Sequence, residues 1–315
     1  MSNIKKMTRR DFLKASAQTG LLLAAGHGAI AEAGKAWAIE SSPAPDLAVV
    51  TGSPEKAVAR AIELLGGMRR FVKQGQRVVI KPNMSFARTP DEAANTSPAV
   101  VAAVAKSCIE AGAKDILIVD HTIQKDTLCL ELSGIAKSCA SLERTHVLAL
   151  NDERFYQSVA IPRGKVLTSV KVMKEILECD VLINLPAAKS HSATGVSFGM
   201  KGLMGVIWDR GYFHSRVDLH QAIADLCSVV KPNVIILDAS RALLTGGPSG
   251  PGTIDPLNTI VAGTDPVAVD AYGVQMAPWY NKQFEVKHIK HIVAGEQMGL
   301  GTARLDGLRI ARVQA

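Results

Sequence analysis

The 315-residue chain carries 36 Lys and Arg against 29 Asp and Glu, but its net charge of +7 is uneven. Residues 1–38 hold six basic and two acidic side chains, which leaves +3 on the remainder, without a basic run interleaved with aromatics that would grip a nucleic acid. No segment after the first 38 residues approaches the ~18 apolar residues of a membrane span, and an aromatic content of 4% implies an aliphatic core.

In chain order, the first element is a targeting segment. Thr8-Arg9-Arg10-Asp11-Phe12-Leu13-Lys14 fits the twin-arginine pattern, with Lys5 and Lys6 adding to its basic start. An apolar run from Leu21 to Ile30 follows, and small-residue cleavage sites end at Ala31, Ala33 or Ala38. Residues 1–38 are therefore expected to be a signal peptide read by the twin-arginine export machinery, with a periplasmic mature protein. That route carries folded cargo, often already loaded with a cofactor.

From residue 46 onward strands and helices alternate. Leu47–Val50 is a predicted strand, and Ser53-Pro54 opens a helix running to Leu65. The strand Arg77–Ile80 ends in Lys81-Pro82-Asn83. Thr96-Ser97-Pro98 opens a helix closed by Gly112, and the strand Ile116–Val119 ends in Asp120-His121-Thr122. A helical stretch over 127–140, a strand over 146–150 and a helix over 169–179 lead to the strand Val181–Leu185. Next come a helix over 217–230, a strand Val234–Leu237 ending in Asp238, and a loop Gly246–Gly252 whose two prolines spoil it as a phosphate cradle. A strand over 259–262, a helix begun by Asp265-Pro266, a helix over 286–298 and a strand over 308–313 complete the chain. This alternation predicts an α/β fold: a largely parallel sheet flanked by helices, as one large domain or two lobes across 46–315.

The densest chemistry lies between Asn184 and His214. Lys189, His191, Lys201, Asp209, Arg210 and His214 are interleaved there with five glycines, which suggests a shaped loop beyond a strand end. A histidine supplies an acid/base near neutral pH, and a lysine in a dry pocket loses its proton or anchors an anion. Lys81 and Asn83, at another strand end, are candidates for the same crevice. Asp120-His121 reads as an oriented base or metal ligands, or else as a helix cap, and His214, His220 and Asp209 are candidate metal ligands. His288 and His291 fall on a helix expected to be exposed. Five cysteines contain no C-x-x-C pair, so no iron–sulfur cluster is expected in this chain. Cys108, Cys179 and Cys227 read as buried, while Cys129 and Cys139 are a candidate disulfide.

Ile80-Lys81-Pro82-Asn83, Glu110-Ala111-Gly112-Ala113, Asn184-Leu185-Pro186, Lys189-x-His191, Met200-Lys201-Gly202-Leu203-Met204-Gly205, Gly247-Pro248-Ser249-Gly250 and Asp265-Pro266-Val267-Ala268-Val269-Asp270 occur in this order. The set resembles the domain-of-unknown-function 362 family over nearly the whole mature chain. Many relatives carry a cysteine-rich ferredoxin-like segment that this chain lacks. His191-x9-Lys201 also resembles a segment of nickel-pincer lactate racemases. That likeness implies His191 as acid/base, Lys201 as tether for a metal-organic cofactor, His121 as a second catalytic histidine, and His214 or His220 as a metal ligand. The expectation is an enzyme of isomerase or redox type acting on a small anionic or carbonyl-bearing molecule. Its alternative is a binding protein that holds an anion, metal or cofactor without turnover, or an accessory to a redox system.

Overall fold

The computed structural model describes residues 44–315; the expected signal peptide lies outside them. Strand β1 (Leu47–Thr51) leads to helix α1 (Pro54–Leu64), where Pro54 occupies the first turn and needs no hydrogen bond. Strand β2 (Arg77–Pro82) leads to α2 (Pro98–Ala111), which ends where Gly112 turns left-handed at φ 102°. After β3 (Asp115–Asp120) the predicted single helix is two, α3 (Asp126–Leu132) and α4 (Ile135–Cys139), because Gly134 between them sits at φ 73°. Strand β4 (Thr145–Ala149) is followed by a hairpin of β5 (Tyr156–Ala160) and β6 (Ser169–Met173).

The hairpin corrects the helix predicted over 169–179. Ser-Val-Lys-Val buries only its two β-branched valines, a period of two, and just α5 (Lys174–Glu178) is helical. Beyond β7 (Val181–Leu185), the predicted loop contains strands β8 (Ala187–His191) and β9 (Gly195–Val196), then the short helices α6 (Gly199–Gly202) and α7 (Arg210–Ser215). The rest comprises α8 (Leu219–Cys227), β10 (Val234–Leu243), β11 (Ile254–Asp255), β12 (Thr259–Gly263), α9 (Pro266–Gln275), α10 (Lys290–Gln297) and β13 (Ile310–Gln314). Asp218 caps α8 by accepting from Gln221 N–H, and Asp265 caps α9 by accepting from Val267 and Ala268.

The main sheet runs β13-β1-β12-β10-β7-β2-β3-β4, and along that path only β12 runs against its neighbours. Alternate residues of each strand feed opposite layers. Val78, Ile80, Ile116, Ile118 and Ile183 pack under α1, α2 and α4, whereas Val79, Leu117, Leu182, Ile235 and Leu237 pack toward α8, α9 and α10. From β2 the chain moves outward to β3 and β4, then returns to β7 on the other flank of β2. Such a reversal opens a crevice beyond the carboxyl ends of the strands.

All five cysteines are free, so Cys129 and Cys139 do not pair; both are buried as thiols. No helix among the described residues is long and apolar enough to cross a membrane.

Candidate functional site

The crevice at the β2–β7 reversal is a cleft of about 460 Å³. Its floor is an ion pair at two strand ends: Lys81 Nζ lies 3.1 Å from Asp120 Oδ1, and both side chains are almost wholly buried. Burial pulls the Lys81 amine down while Asp120 pulls it back up. The other carboxylate oxygen of Asp120 accepts from Met84 N–H at 2.9 Å and from the Ser85 hydroxyl at 2.8 Å. Asp120 thus neither caps a helix nor orients a base; it neutralises a buried lysine. Gly205 lies over this pair, and a Cβ there would stand 2.6 Å from Lys81 Cε. Glycine is required by that close approach.

Lys189 and His191 lie on β8, which begins just past Pro186. Lys189 is fully buried, donates to the carbonyls of Ala94 at 2.5 Å and Pro248 at 3.0 Å, and sits 4.4 Å from the centre of the Phe86 ring. The Gly246–Gly252 loop therefore walls the cleft by offering a carbonyl to a lysine. Burial, together with Lys201 and Lys81, drives the Lys189 amine well below its ordinary value, against a pull from Asp120. Burial, Lys201, Lys189 and the nearby His214 and His291 hold His191 down at about 2, so its ring is neutral. Its Nδ1 accepts the Ala193 N–H at 3.1 Å. A backbone amide can only donate, so the ring proton of neutral His191 is on Nε2.

Lys201 is placed by α6, whose first two amides, Gly199 and Met200, donate to Asp270 at 2.7 and 2.9 Å. Asn184 holds the same turn through the Gly199 carbonyl at 3.0 Å. Burial raises the Asp270 carboxyl to about 7 despite those bonds. Lys201 meets no carboxylate; burial and the Arg210 guanidinium bring its amine down to about 7. Arg210 spans the mouth, donating to the carbonyls of His121 at 2.7 Å and Thr122 at 3.0 Å. The His214 ring lies nearly parallel to that of His191, centroids 6.3 Å apart. Asn83 also lines the cleft, and its side-chain oxygen is buried without a partner.

Of the residues singled out in the sequence, Asn83, Lys189, His191, Lys201 and His214 line one cleft, and Lys81 underlies it. His121 is elsewhere: its ring stacks on Trp208 at 5.2 Å, its Nδ1 donates to the Ile207 carbonyl at 2.9 Å, and only its backbone serves the site, by holding Arg210. Asp209 caps α7 by accepting from Tyr212 N–H at 2.9 Å, and His220 packs against His291. Among the described residues no three His, Cys, Asp or Glu side chains converge as a metal-ligand set. The Asp270–α6 contact was not foreseen. Asp-Pro-Val-Ala-Val-Asp reads as one capped helix, and only the tertiary fold shows that its second aspartate caps another.

Comparison with known proteins adds three findings. The "Thylakoid-associated protein sll1697" of Synechocystis sp. is 27% identical over 256 residues, covering 79% of this chain and 76% of the relative. The lactate racemase apoprotein of Thermoanaerobacterium thermosaccharolyticum aligns with a TM-score of 0.47 at 16% identity, and a structural-genomics protein from Thermotoga maritima with 0.42 at 13%. These alignments take in 72% and 78% of this chain but only 57% and 60% of those structures. The model of the family described as "Domain of unknown function (DUF362)" matches residues 78–275, most of the sheet and all of the cleft's lysine, arginine and histidine side chains, and the chain belongs to that family.

Proposed function

We propose that the cleft is the active site of an enzyme that moves a proton next to the carbonyl of a small anionic substrate, a reaction of isomerase type. One observation carries this reading: the Arg210 guanidinium lines a cleft, beside the buried amines of Lys189 and Lys201, that has no carboxylate in its wall, and the carboxylate beneath it is already paired with Lys81. An anion is the ligand that balances such a site. Lys201, with its amine near 7, is in part a free base at neutral pH and is suited to take a proton from carbon. The electron pair left on carbon moves onto the carbonyl oxygen. There the His191 Nε2–H donates a hydrogen bond, as a neutral imidazole does when it acts as an electrophile. His191 is accordingly the oxyanion donor and Lys201 the base, whereas the racemase likeness implies His191 as acid/base and Lys201 as a cofactor tether. Arg210 fits a substrate carboxylate, and the unpartnered Asn83 oxygen accepts a substrate hydroxyl.

A cage of protein ligands for a metal does not fit this cleft, whereas an organic group tethered at one point does, because the Lys201 amine is unpaired and His191 and His214 face the same space. A metal-organic cofactor tethered there would supply an electron-accepting centre and would occupy the Lys201 amine, so the role of Lys201 as base belongs to the cleft without such a group. The twin-arginine pattern supports a periplasmic site of action.

The test follows deuterium uptake by nuclear magnetic resonance, using small 2-oxo and 2-hydroxy acids in D₂O with native protein. Exchange next to the carbonyl that disappears in Lys201→Met and slows in His191→Gln is expected. Tight binding with no exchange would instead establish an anion-binding protein.

A further inference from the structure

A ligand of this cleft has more to fill than the places of a carboxylate and a carbonyl. The cleft's volume of about 460 Å³ lies within the roughly 300–1,000 Å³ of small-molecule sites, and a three-carbon acid takes up only a fraction of it. Apolar side chains surround much of the rest: Phe86, Ile123, Met204 and Pro248. Phe86 and Met204 are 4% and 2% exposed, whereas Ile123 is 58% exposed. Ile123 is nonetheless held in place. Its N–H donates to the Ser85 carbonyl at 2.9 Å, and the carbonyls of the two residues before it, His121 and Thr122, are those that Arg210 grips. Isolated surface aliphatics call for no explanation. This one stands in a cleft wall shared with two buried apolar side chains, next in sequence to the anchor of a guanidinium.

The basic side chains around the cleft outnumber the charges they offer a ligand. Lys81 is paired with Asp120 at 3.1 Å. Lys189 is fully buried, and its amine is spent on the Ala94 and Pro248 carbonyls. Burial and nearby cations bring Lys201 down to about 7 and lower both His191 and His214. Arg210 differs. A guanidinium stays charged in proteins, and Arg210 gives one N–H from each terminal nitrogen to a carbonyl and keeps its remaining N–H groups for a ligand. Among the described residues it is the one permanently charged group in the wall with donors to spare. That suits one carboxylate, and not two.

We propose that the substrate class of this cleft is a 2-oxo or 2-hydroxy monocarboxylic acid with a branched aliphatic or aromatic substituent, its carboxylate on Arg210 and its substituent against Phe86, Ile123, Met204 and Pro248. The proposal rests on the reading of the cleft as a site of proton transfer next to a carbonyl, and narrows it. A dicarboxylate or a phosphate ester would press its second anionic group against an apolar wall, where a charge without a partner is costly. The hydroxyls of a sugar acid would lose water against the same wall. An apolar substituent gains there instead, because it covers the exposed Ile123 side chain and displaces water from Phe86 and Met204. Ile123 is thus a specificity residue, one that touches the substrate away from the reacting atoms.

The experiment is calorimetric titration of the full-length protein with pyruvate, 4-methyl-2-oxopentanoate and 2-oxoglutarate, with deuterium exchange of each acid followed alongside. The last two acids are similar in length and differ in whether the far end is apolar or charged. 4-Methyl-2-oxopentanoate is expected to bind at least about tenfold more tightly than either of the others, since a single methylene in an apolar pocket is worth roughly 10–200-fold. Ile123→Ala should weaken its binding about three- to tenfold. Ile123→Lys, which sets a cation in the apolar wall, should turn the preference toward 2-oxoglutarate. Ile123 is more than half exposed, so both variants are expected to fold. Equal or tighter binding of pyruvate or 2-oxoglutarate by the native protein overturns the substrate class, as does an order of affinities that neither Ile123 variant alters. The enzyme reading is decided separately by exchange: the expected order of binding with no exchange sinks that reading and keeps the ligand class. Binding of none of the three acids overturns both.

Discussion

At the scale of single residues, Lys201 carries the proposed chemistry, and its environment has a pH dependence that can be checked without a substrate. The folded protein releases the Lys201 proton near 7, whereas the unfolded chain holds it to about 10.5. Between those values the unfolded state binds more protons, so this lysine's contribution to stability rises with pH. Below 7 the fold carries a buried, unpaired ammonium. Asp270 works in the opposite sense: its carboxyl titrates near 7 when folded and 3.8 when unfolded, so its contribution falls as pH rises through that lower window. The two windows meet near neutrality and do not overlap. In Lys201→Met, which removes the charge and keeps most of the stem, any stability advantage over the native protein should shrink as pH rises from about 6 to about 9. Urea unfolding across that range measures it, and a difference independent of pH would show that Lys201 is solvated and ordinary.

At the scale of elements, the site depends on how closely α6 and the turn after it approach the strand ends. Gly205 is the tightest point, with Lys81 Cε 2.6 Å from the place a Cβ would take and the Asp120 carboxylate closer still. Neither side chain swings away freely, since Lys81 is 2% exposed and Asp120 is held by Met84 and Ser85. Gly205→Ala should cost about 1–3 kcal/mol by overpacking. It should also weaken anion binding, because the turn carries the carbonyl that takes the His121 N–H and so positions the Arg210 anchor. Melting and ligand titration of this variant together measure both effects; an unchanged anion affinity would uncouple the turn from the cleft. Much of this arrangement was legible in the sequence. Polar residues at the ends of apolar runs marked Lys81, Asp120 and Asn184, and glycine spacing marked the stretch from 195 to 205. Other parts were not legible, for physical reasons. Ala187–His191 lacks the apolar run of a strand, because its Lys, Ser and His are buried against carbonyls and a cleft rather than against aliphatic side chains. His291 read as exposed because Lys290 and Glu296 surround it in sequence, and only the packing of α10 on α8 buries it.

At the scale of the whole molecule, the sheet separates two duties. Its layers hold aliphatic cores on both faces, and its carboxyl end gathers the charges, so stability and chemistry draw on different residues. Export would place that architecture in an oxidising compartment, where cysteines are the exposed risk. The fold answers by burial. Cys108, Cys129, Cys139 and Cys227 are buried free thiols, Cys179 is partly so, and burial pushes Cys108 up to about 12 and Cys179 to about 11. A thiol kept protonated is a poor nucleophile and resists disulfide exchange. Stability should therefore be independent of reductant, and the melting midpoint of protein purified under oxidising conditions should be unchanged by dithiothreitol. A disulfide would contribute about 2–4 kcal/mol, which at roughly 2–4 °C per kcal/mol for a domain approaching this size is a shift of several degrees. A drop of that size on reduction would mean that the oxidised protein adopts a pairing absent from this fold, with Cys129 and Cys139 the first pair to map by peptide mass.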